Sequence, residues 1–114
     1  MSIKRGEIYI AALDPVVGKE ISMTRPVVVV SNDINNRFAS TVTVIPITSM
    51  NLDRIYPFEV FLPKGSGGLP KDSKVKADQI RTLDKARLAR LLGKADLRQI
   101  AAIDKAMKTH LGLE

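Results

Sequence analysis

Two dipeptides carry the chemistry that can be read from this chain, Arg25-Pro26 and Thr48-Ser49. Arg25 lies just before the apolar run Val27-Val28-Val29-Val30, and Thr48 just after Val44-Ile45-Pro46-Ile47. If both runs are strands that pair antiparallel, as sequential strands often do, the start of one lies beside the end of the other. A guanidinium and a hydroxyl then share one rim. A surface arginine and a strand-end threonine with no common task fit the same pattern, and spacing alone favours that plainer reading.

Other chemistries fall away by arithmetic. The chain has one histidine, His110, and no cysteine, so paired-histidine nuclease chemistry, thiol nucleophiles, disulfides and zinc knuckles are excluded. Asp14, Asp33, Asp53, Asp72, Asp78 and Asp84 are scattered, with no Asp-x-Asp or Glu-x-x-His spacing to gather a metal, and none is expected. Lys64-Gly65-Ser66-Gly67-Gly68-Leu69-Pro70-Lys71 looks superficially like a phosphate loop but lacks the Gly-Lys-Ser/Thr that opens a helix, so a hairpin turn is expected there.

The elements that must position Arg25 and Thr48 are mostly strands. Glu7–Leu13 is a first β-prone run, stopped by Asp14-Pro15. Val27–Val30, four β-branched residues, reads as a strand buried on both faces, followed by a loop over Ser31-Asn32-Asp33 and Asn35-Asn36. Thr41–Ile47 is a third strand, in which Pro46 demands a bulge or an edge because it donates no ladder hydrogen bond. Phe58–Leu62 is a fourth. Ser73–Ala77 alternates like a half-exposed fifth. The stretch from Asp78 to Leu92 fits a helix in part, or one helical turn and then a strand over Arg87–Gly93 that breaks at Gly93. Asp96 with Gln99 makes a capping box for a last helix carrying Leu97, Ile100, Ile103, Met107 and Leu111 at steps of three and four, and Gly112 ends it. Five or six short strands closed by a helix predict an α+β, mainly β fold: a small, strongly curved, barrel-like sheet with helical additions.

With 114 residues, 45% hydrophobic and 26% charged, the chain is expected to form one domain, residues 1–114, with a real core. The formal net charge of +6 is uneven. Residues 1–57 hold six basic and five acidic groups, and residues 58–114 hold twelve and seven. That balance suits a polyanionic partner, though Lys-rich solvated helices produce it too. No stretch approaches the run of about 18 apolar residues that a membrane span needs, and cytoplasm is the expected compartment.

Five blocks add a resemblance: Arg5-Gly6-Glu7-Ile8-Tyr9, Leu13–Gly18, Arg25–Asp33, Thr41–Ser49 and Asp78–Lys85. In order and spacing they closely resemble the MazF/PemK family of bacterial toxins over nearly the whole chain. The resemblance implies a small SH3-like barrel of the MazF/CcdB-like kind, with short helices and a C-terminal helix, and it reads the ambiguous stretch as a short helix near Gln79–Leu83 followed by a strand. It implies a ribosome-independent endoribonuclease that cuts single-stranded mRNA at short sequences, works without cofactor as a homodimer, and is held inactive by a cognate antitoxin. Contact with DNA is implied only through the antitoxin complex.

By motif, the family's catalytic pair falls on Arg25 and Thr48. Substrate contacts are implied for the loop Gly18–Thr24, including Glu20 and Thr24, and for Ser31, Asn32, Ser49, Asp78 and Gln79. The polar residues among these equally fit Asx turns and helix caps. This chain departs from the family pattern at Ile21-Ser22-Met23, where glutamine and glycines are usual after the glutamate, and at Lys76-Ala77, where an apolar pair is usual. Two other classes share the pattern: a non-enzymatic toxin of the same fold that poisons DNA gyrase through its C-terminal helix, and a catalytically inactive RNA-binding barrel.

Overall fold

The computed structural model describes residues 2–20 and 23–113. Seven strands form one sheet: β1 (Glu7–Ala12), β2 (Thr24–Val29), β3 (Thr41–Thr48), β4 (Glu59–Leu62), β5 (Ser73–Lys76), β6 (Arg81–Asp84) and β7 (Leu88–Lys94). The hydrogen-bonded path is β4-β5-β3-β2-β1-β7, with β6 joining β3 beside β5. The path ends at β4 and β7, so among the described residues the sheet is not closed. Helix α1 (Asp33–Phe38) links β2 to β3, and α2 (Leu97–Leu111) ends the chain.

Alternate residues of the central strands face two cores. Val27, Val29, Val42 and Val44 join Tyr9, Leu13 and Leu83 on one face. On the other, Val28, Ile45, Ile47 and Val75 join Ile103 and Ala106 of α2. This is why the consecutive valines 27–29 are all buried: strand geometry sends successive side chains to opposite faces, and both faces here are dry, while Val30 lies past the strand and is partly buried.

β3 is the hub, and Pro46 explains its layout. Residues 41–44 pair with β6, while Ile47 and Thr48 pair with β5. Between those two partners the chain makes a 3₁₀ turn over Ala77–Gln79, so Pro46 lies where the ladder is interrupted anyway. On its other side Pro46 stands across from Val27 in β2, next to a hydrogen-bonded pair rather than in one. The strand is therefore central rather than an edge, and the missing donor falls in the gap between β6 and β5.

Several further readings of the elements need correction. The expected helix near Gln79–Leu83 is the 3₁₀ turn followed by strand β6, because Leu83 is wanted in the core with Tyr9 and Val42 and a strand delivers it there. The expected loop at 31–36 contains α1, capped by the Asn32 side chain, which accepts from Asn35 N–H at 2.8 Å. Strand β7 runs through Gly93 rather than breaking there. A Cβ at Gly93 would lie 2.7 Å from the Gly67 backbone, so glycine is present because the turn Gly65–Gly68 packs directly on β7. Finally, the two outer members of the apolar series on α2, Leu97 and Leu111, are exposed, while Ala106 joins Ile103 in the core. The capping box Asp96/Gln99 and the left-handed Gly112 are present as read.

Candidate active site

Strand β2 begins at Thr24, so Arg25 and Pro26 belong to the strand rather than preceding it, and Thr48 is the last residue of β3. The pairs Val29↔Val44, Val28↔Ile45 and Val27↔Pro46 define the register. Continued by two residues, that register sets Arg25 across from Thr48, and on the far side of β3 Thr48 pairs with Lys74. Residues directly opposite in an antiparallel sheet share a face. Arg25, Thr48 and Lys74 thus form one row across three strands, on the face that carries Val27 and Val29 further along β2.

A cavity of about 230 Å³ opens over this row, lined by Arg25, Thr48, Glu20, Asn51, Lys74 and Lys76 together with Met50. Thr48 is buried, and its Oγ1 accepts from the Met50 N–H at 3.1 Å, which starts the turn away from β3. Asn51 then adopts a left-handed backbone at φ 56°, a conformation asparagine tolerates better than most residues. Its carbonyl accepts from Lys74 Nζ at 2.8 Å. Arg25 also lines a second, more apolar cavity of about 250 Å³ with Ser49, Pro26, Leu69 and Leu92. The arginine is a shared wall between the two.

Beneath the first cavity lies a buried ionic group. Glu59 has a fully buried side chain, with Lys74 Nζ and Lys76 Nζ each 3.0 Å from one of its carboxylate oxygens. Burial pushes its pKa up, but the Tyr56 N–H and the two ammonium groups outweigh this and hold the carboxyl below the usual range. The reading of β5 as half-exposed fails here. Lys74 is 2% exposed, because it points into the protein to meet Glu59 and the carbonyls of Asn51 and Arg54.

The remaining candidates divide. Glu20 lines the Arg25 cavity, and its Oε1 accepts from Val17 N–H at 2.6 Å, fixing the turn that presents it. Ile21 and Ser22 of the same loop lie outside the described residues. Thr24 is exposed and adjacent to Arg25, so it points to the other face. Ser49 lines the second cavity. Asp78 and Gln79 occupy the 3₁₀ turn beside Pro46 and line neither cavity; Asp78 Oδ1 is buried without a hydrogen-bond partner. Ser31 and Asn32 stand beyond the opposite end of β2, about 20 Å of strand away from Arg25. Both are occupied locally: Ser31 Oγ accepts from Thr43 N–H at 3.0 Å and donates to Asn36, and Asn32 caps α1.

Reading the sequence missed Asn51, Lys74 and Lys76 as cavity residues. The signal was present in the register, because a β5 strand pairing with the end of β3 must place a lysine beside Thr48. Without knowing that β5 pairs there, alternation alone suggested solvent.

The family profile of the PemK-like, MazF-like toxins of type II toxin–antitoxin systems matches residues 4–111. The chain is 42% identical over 116 residues to Endoribonuclease MazF9 of Mycobacterium tuberculosis, covering 97% of this chain and 98% of that protein. It is 39% identical over 113 residues to Endoribonuclease EndoA of Bacillus subtilis, covering 99% and 97%. Among solved structures, MazF from Deinococcus radiodurans superposes with a TM-score of 0.84 at 29% identity over 98% of each chain. A mycobacterial endoribonuclease in complex with its cognate antitoxin gives 0.81 at 28% identity, covering 98% of this chain and 97% of that one. Agreement over nearly the full length in sequence and in fold places this chain in the PemK-like, MazF-like toxin family of type II toxin–antitoxin systems.

Proposed function

We propose that this toxin is an endoribonuclease that cleaves single-stranded mRNA by attack of the RNA's own 2′-hydroxyl. The observation that carries this reading is the convergence of Arg25 and Thr48 on one cavity, in a chain similar to two proteins named endoribonucleases. The 2′-oxygen forms a bond to the adjacent phosphorus and loses its proton. The bond from phosphorus to the 5′-oxygen breaks, and that oxygen takes up a proton. The products are a 2′,3′-cyclic phosphate and a 5′-hydroxyl. Because the nucleophile comes with the substrate, the protein's task is alignment and stabilisation of charge on the phosphoryl oxygens, and no metal-activated water is required.

Arg25 suits that task, since its planar, cationic fork can hold two oxygens at once. Thr48 Oγ1 is held by the Met50 N–H, which leaves its own hydroxyl proton to donate to a phosphate oxygen or to orient the nucleophile. Glu20 at the cavity rim and Ser49 in the neighbouring cavity contact the flanking nucleotides.

The toxin works as a homodimer: Ile34 and Phe38 on α1 and Phe61 on β4 are exposed apolar side chains that a second copy would cover. Its partner is a cognate antitoxin, a reading supported by the similar mycobacterial endoribonuclease solved in complex with its own; an acidic, partly disordered tail on that antitoxin would complement the +6 charge of this chain.

Incubating the pure protein with a long single-stranded RNA and mapping the ends tests the core of this reading. Discrete cuts that survive excess EDTA, and that vanish when the 2′-hydroxyl at the cut site is replaced by hydrogen, are expected. Arg25→Ala should lower the single-turnover rate about 100- to 1,000-fold with the melting temperature intact, and Arg25→Lys should recover little. Cleavage of the deoxy-substituted site, or an Arg25→Ala protein that cuts at the wild-type rate, would overturn it.

A further inference from the structure

We propose that Lys76 is a further RNA-binding residue, whose ammonium group takes a backbone phosphate other than the one that Arg25 holds. The inference rests on the endoribonuclease reading and adds a contact to the same site. Lys74 and Lys76 are two apart on β5, so they share a face, and both meet the same carboxylate, Glu59. Their situations differ. Lys74 is sealed, with a side chain 3% exposed, and its three donors are taken by Asn51 O, Arg54 O and Glu59 Oε1. It has no capacity left for a ligand.

Lys76 has a side chain 25% exposed, spends one donor on Glu59 Oε2, and lines the cavity with Arg25 and Thr48. One buried carboxylate balances one of the two ammonium groups, and with Arg25 and Glu20 counted the site holds three cations against two carboxylates, a net positive charge. Glu59 also fixes where that charge sits, because a lysine tethered at 3.0 Å loses much of its rotamer freedom before RNA arrives. A compact, oriented cation with two open donors at the edge of a phosphate-binding cavity is matched by a second phosphate.

The test measures affinity for an RNA carrying a single 2′-deoxy substitution at the mapped cut site, across a salt series. Wild type, Lys76→Met, Lys76→Gln, Lys76→Arg and, as a remote exposed control, Lys105→Met are compared. Each neutralised phosphate on a single strand contributes about 0.7 to the slope of log affinity against log salt. On the deoxy-substituted RNA, Lys76→Met and Lys76→Gln should each lower the slope by about 0.7, Lys76→Arg should keep it, and Lys105→Met should match wild type; on the unmodified, cleavable RNA the Met and Gln variants should raise KM severalfold. Lys76→Gln retains a donor for Glu59, so a change shared by Met and Gln variants reports charge and not packing. An unchanged slope in both, with wild-type RNA cleavage in the parent, would overturn this proposal alone. A parent protein that neither cuts RNA nor binds it with a salt-dependent affinity would remove both this proposal and the reading beneath it.

Discussion

Thr48 lets rate and stability be pulled apart by substitution. Its hydroxyl faces the cavity and accepts the Met50 N–H, while its methyl group is buried at the end of β3. Thr48→Ala removes both. The lost hydrogen bond costs about 0.5–1.5 kcal/mol and the lost methyl about 0.8, so a net destabilisation of about 1–2 kcal/mol is expected. At about 4 °C per kcal/mol for a chain of this size, the melting temperature should fall by roughly 4–8 °C. The rate should fall far more, about 100- to 1,000-fold, as for the loss of one donor aimed at developing charge.

Two further variants divide these effects. Thr48→Ser keeps the oxygen and loses only the methyl, so it should melt a few degrees low and keep cleavage within about tenfold. Thr48→Val keeps the shape and strands the Met50 N–H, so it should melt as low as alanine and cut as slowly. Single-turnover cleavage with enzyme in excess, well below the lowest melting temperature, beside thermal melts of all four proteins, is the assay. A valine variant that cuts like wild type, or a serine variant as slow as alanine, would refute the role given to the hydroxyl.

Removing the charge from Glu59 should be among the most destabilising changes at the site. Glu59→Gln leaves Lys74 buried against a neutral partner, at a cost of about 3–5 kcal/mol near neutral pH. Because the folded carboxyl is held below its ordinary value, its contribution is present above the unfolded pKa and lost as pH falls through the folded one. Denaturant melts of the two proteins should therefore converge below about pH 4, and a gap that stays constant down to pH 2 would count against the ionic account. Gly68→Ala should cost about 2–5 kcal/mol, since the residue sits at φ 81° and an added Cβ would lie 2.3 Å from the Leu92 carbonyl oxygen. A thermal melt that matches wild type would show that the turn can lift off β7.

What could be read from sequence follows from how local each signal is. The capping box at Asp96 and the left-handed stop at Gly112 were legible because both are satisfied within a few residues of chain. The doubly buried Val27–Val29 was legible because strand alternation converts composition directly into two dry faces, while Val30 falls past the end of β2 and is only partly buried. Helix α1 was not, since six residues are too few to show a helical period, and its cap Asn32 looks like any turn residue. The strand at 81–84 was hidden for a different reason. Ile80, Leu83 and Leu88 are spaced well enough for a helix, and only the need of β3 for a partner along residues 41–44 decides for a strand. The pairing of Arg25 with Thr48 was accessible from order alone. Lys74 was not, because a lysine in an alternating strand normally faces water, and the carboxylate that draws this one inward lies fifteen positions away at Glu59.

The two walls flanking Arg25 are held by unlike devices, and this explains the glycine turn that resembles a phosphate loop. On one side, β5 is fastened to β4 and to the 51–54 turn by the Glu59 group, so the lysines that line the cavity are positioned by buried charge. On the other side, Gly67 and Gly68 press onto the backbone of Leu92 and Gly93, and this contact brings Leu69 beside Leu92 in the second cavity. Any side chain at 68 or 93 would push the turn outward and open that wall. The glycines serve the site by backbone-on-backbone packing and not by cradling a phosphate. Their sequence pattern therefore lacks the Gly-Lys-Ser/Thr ending that a phosphate loop requires.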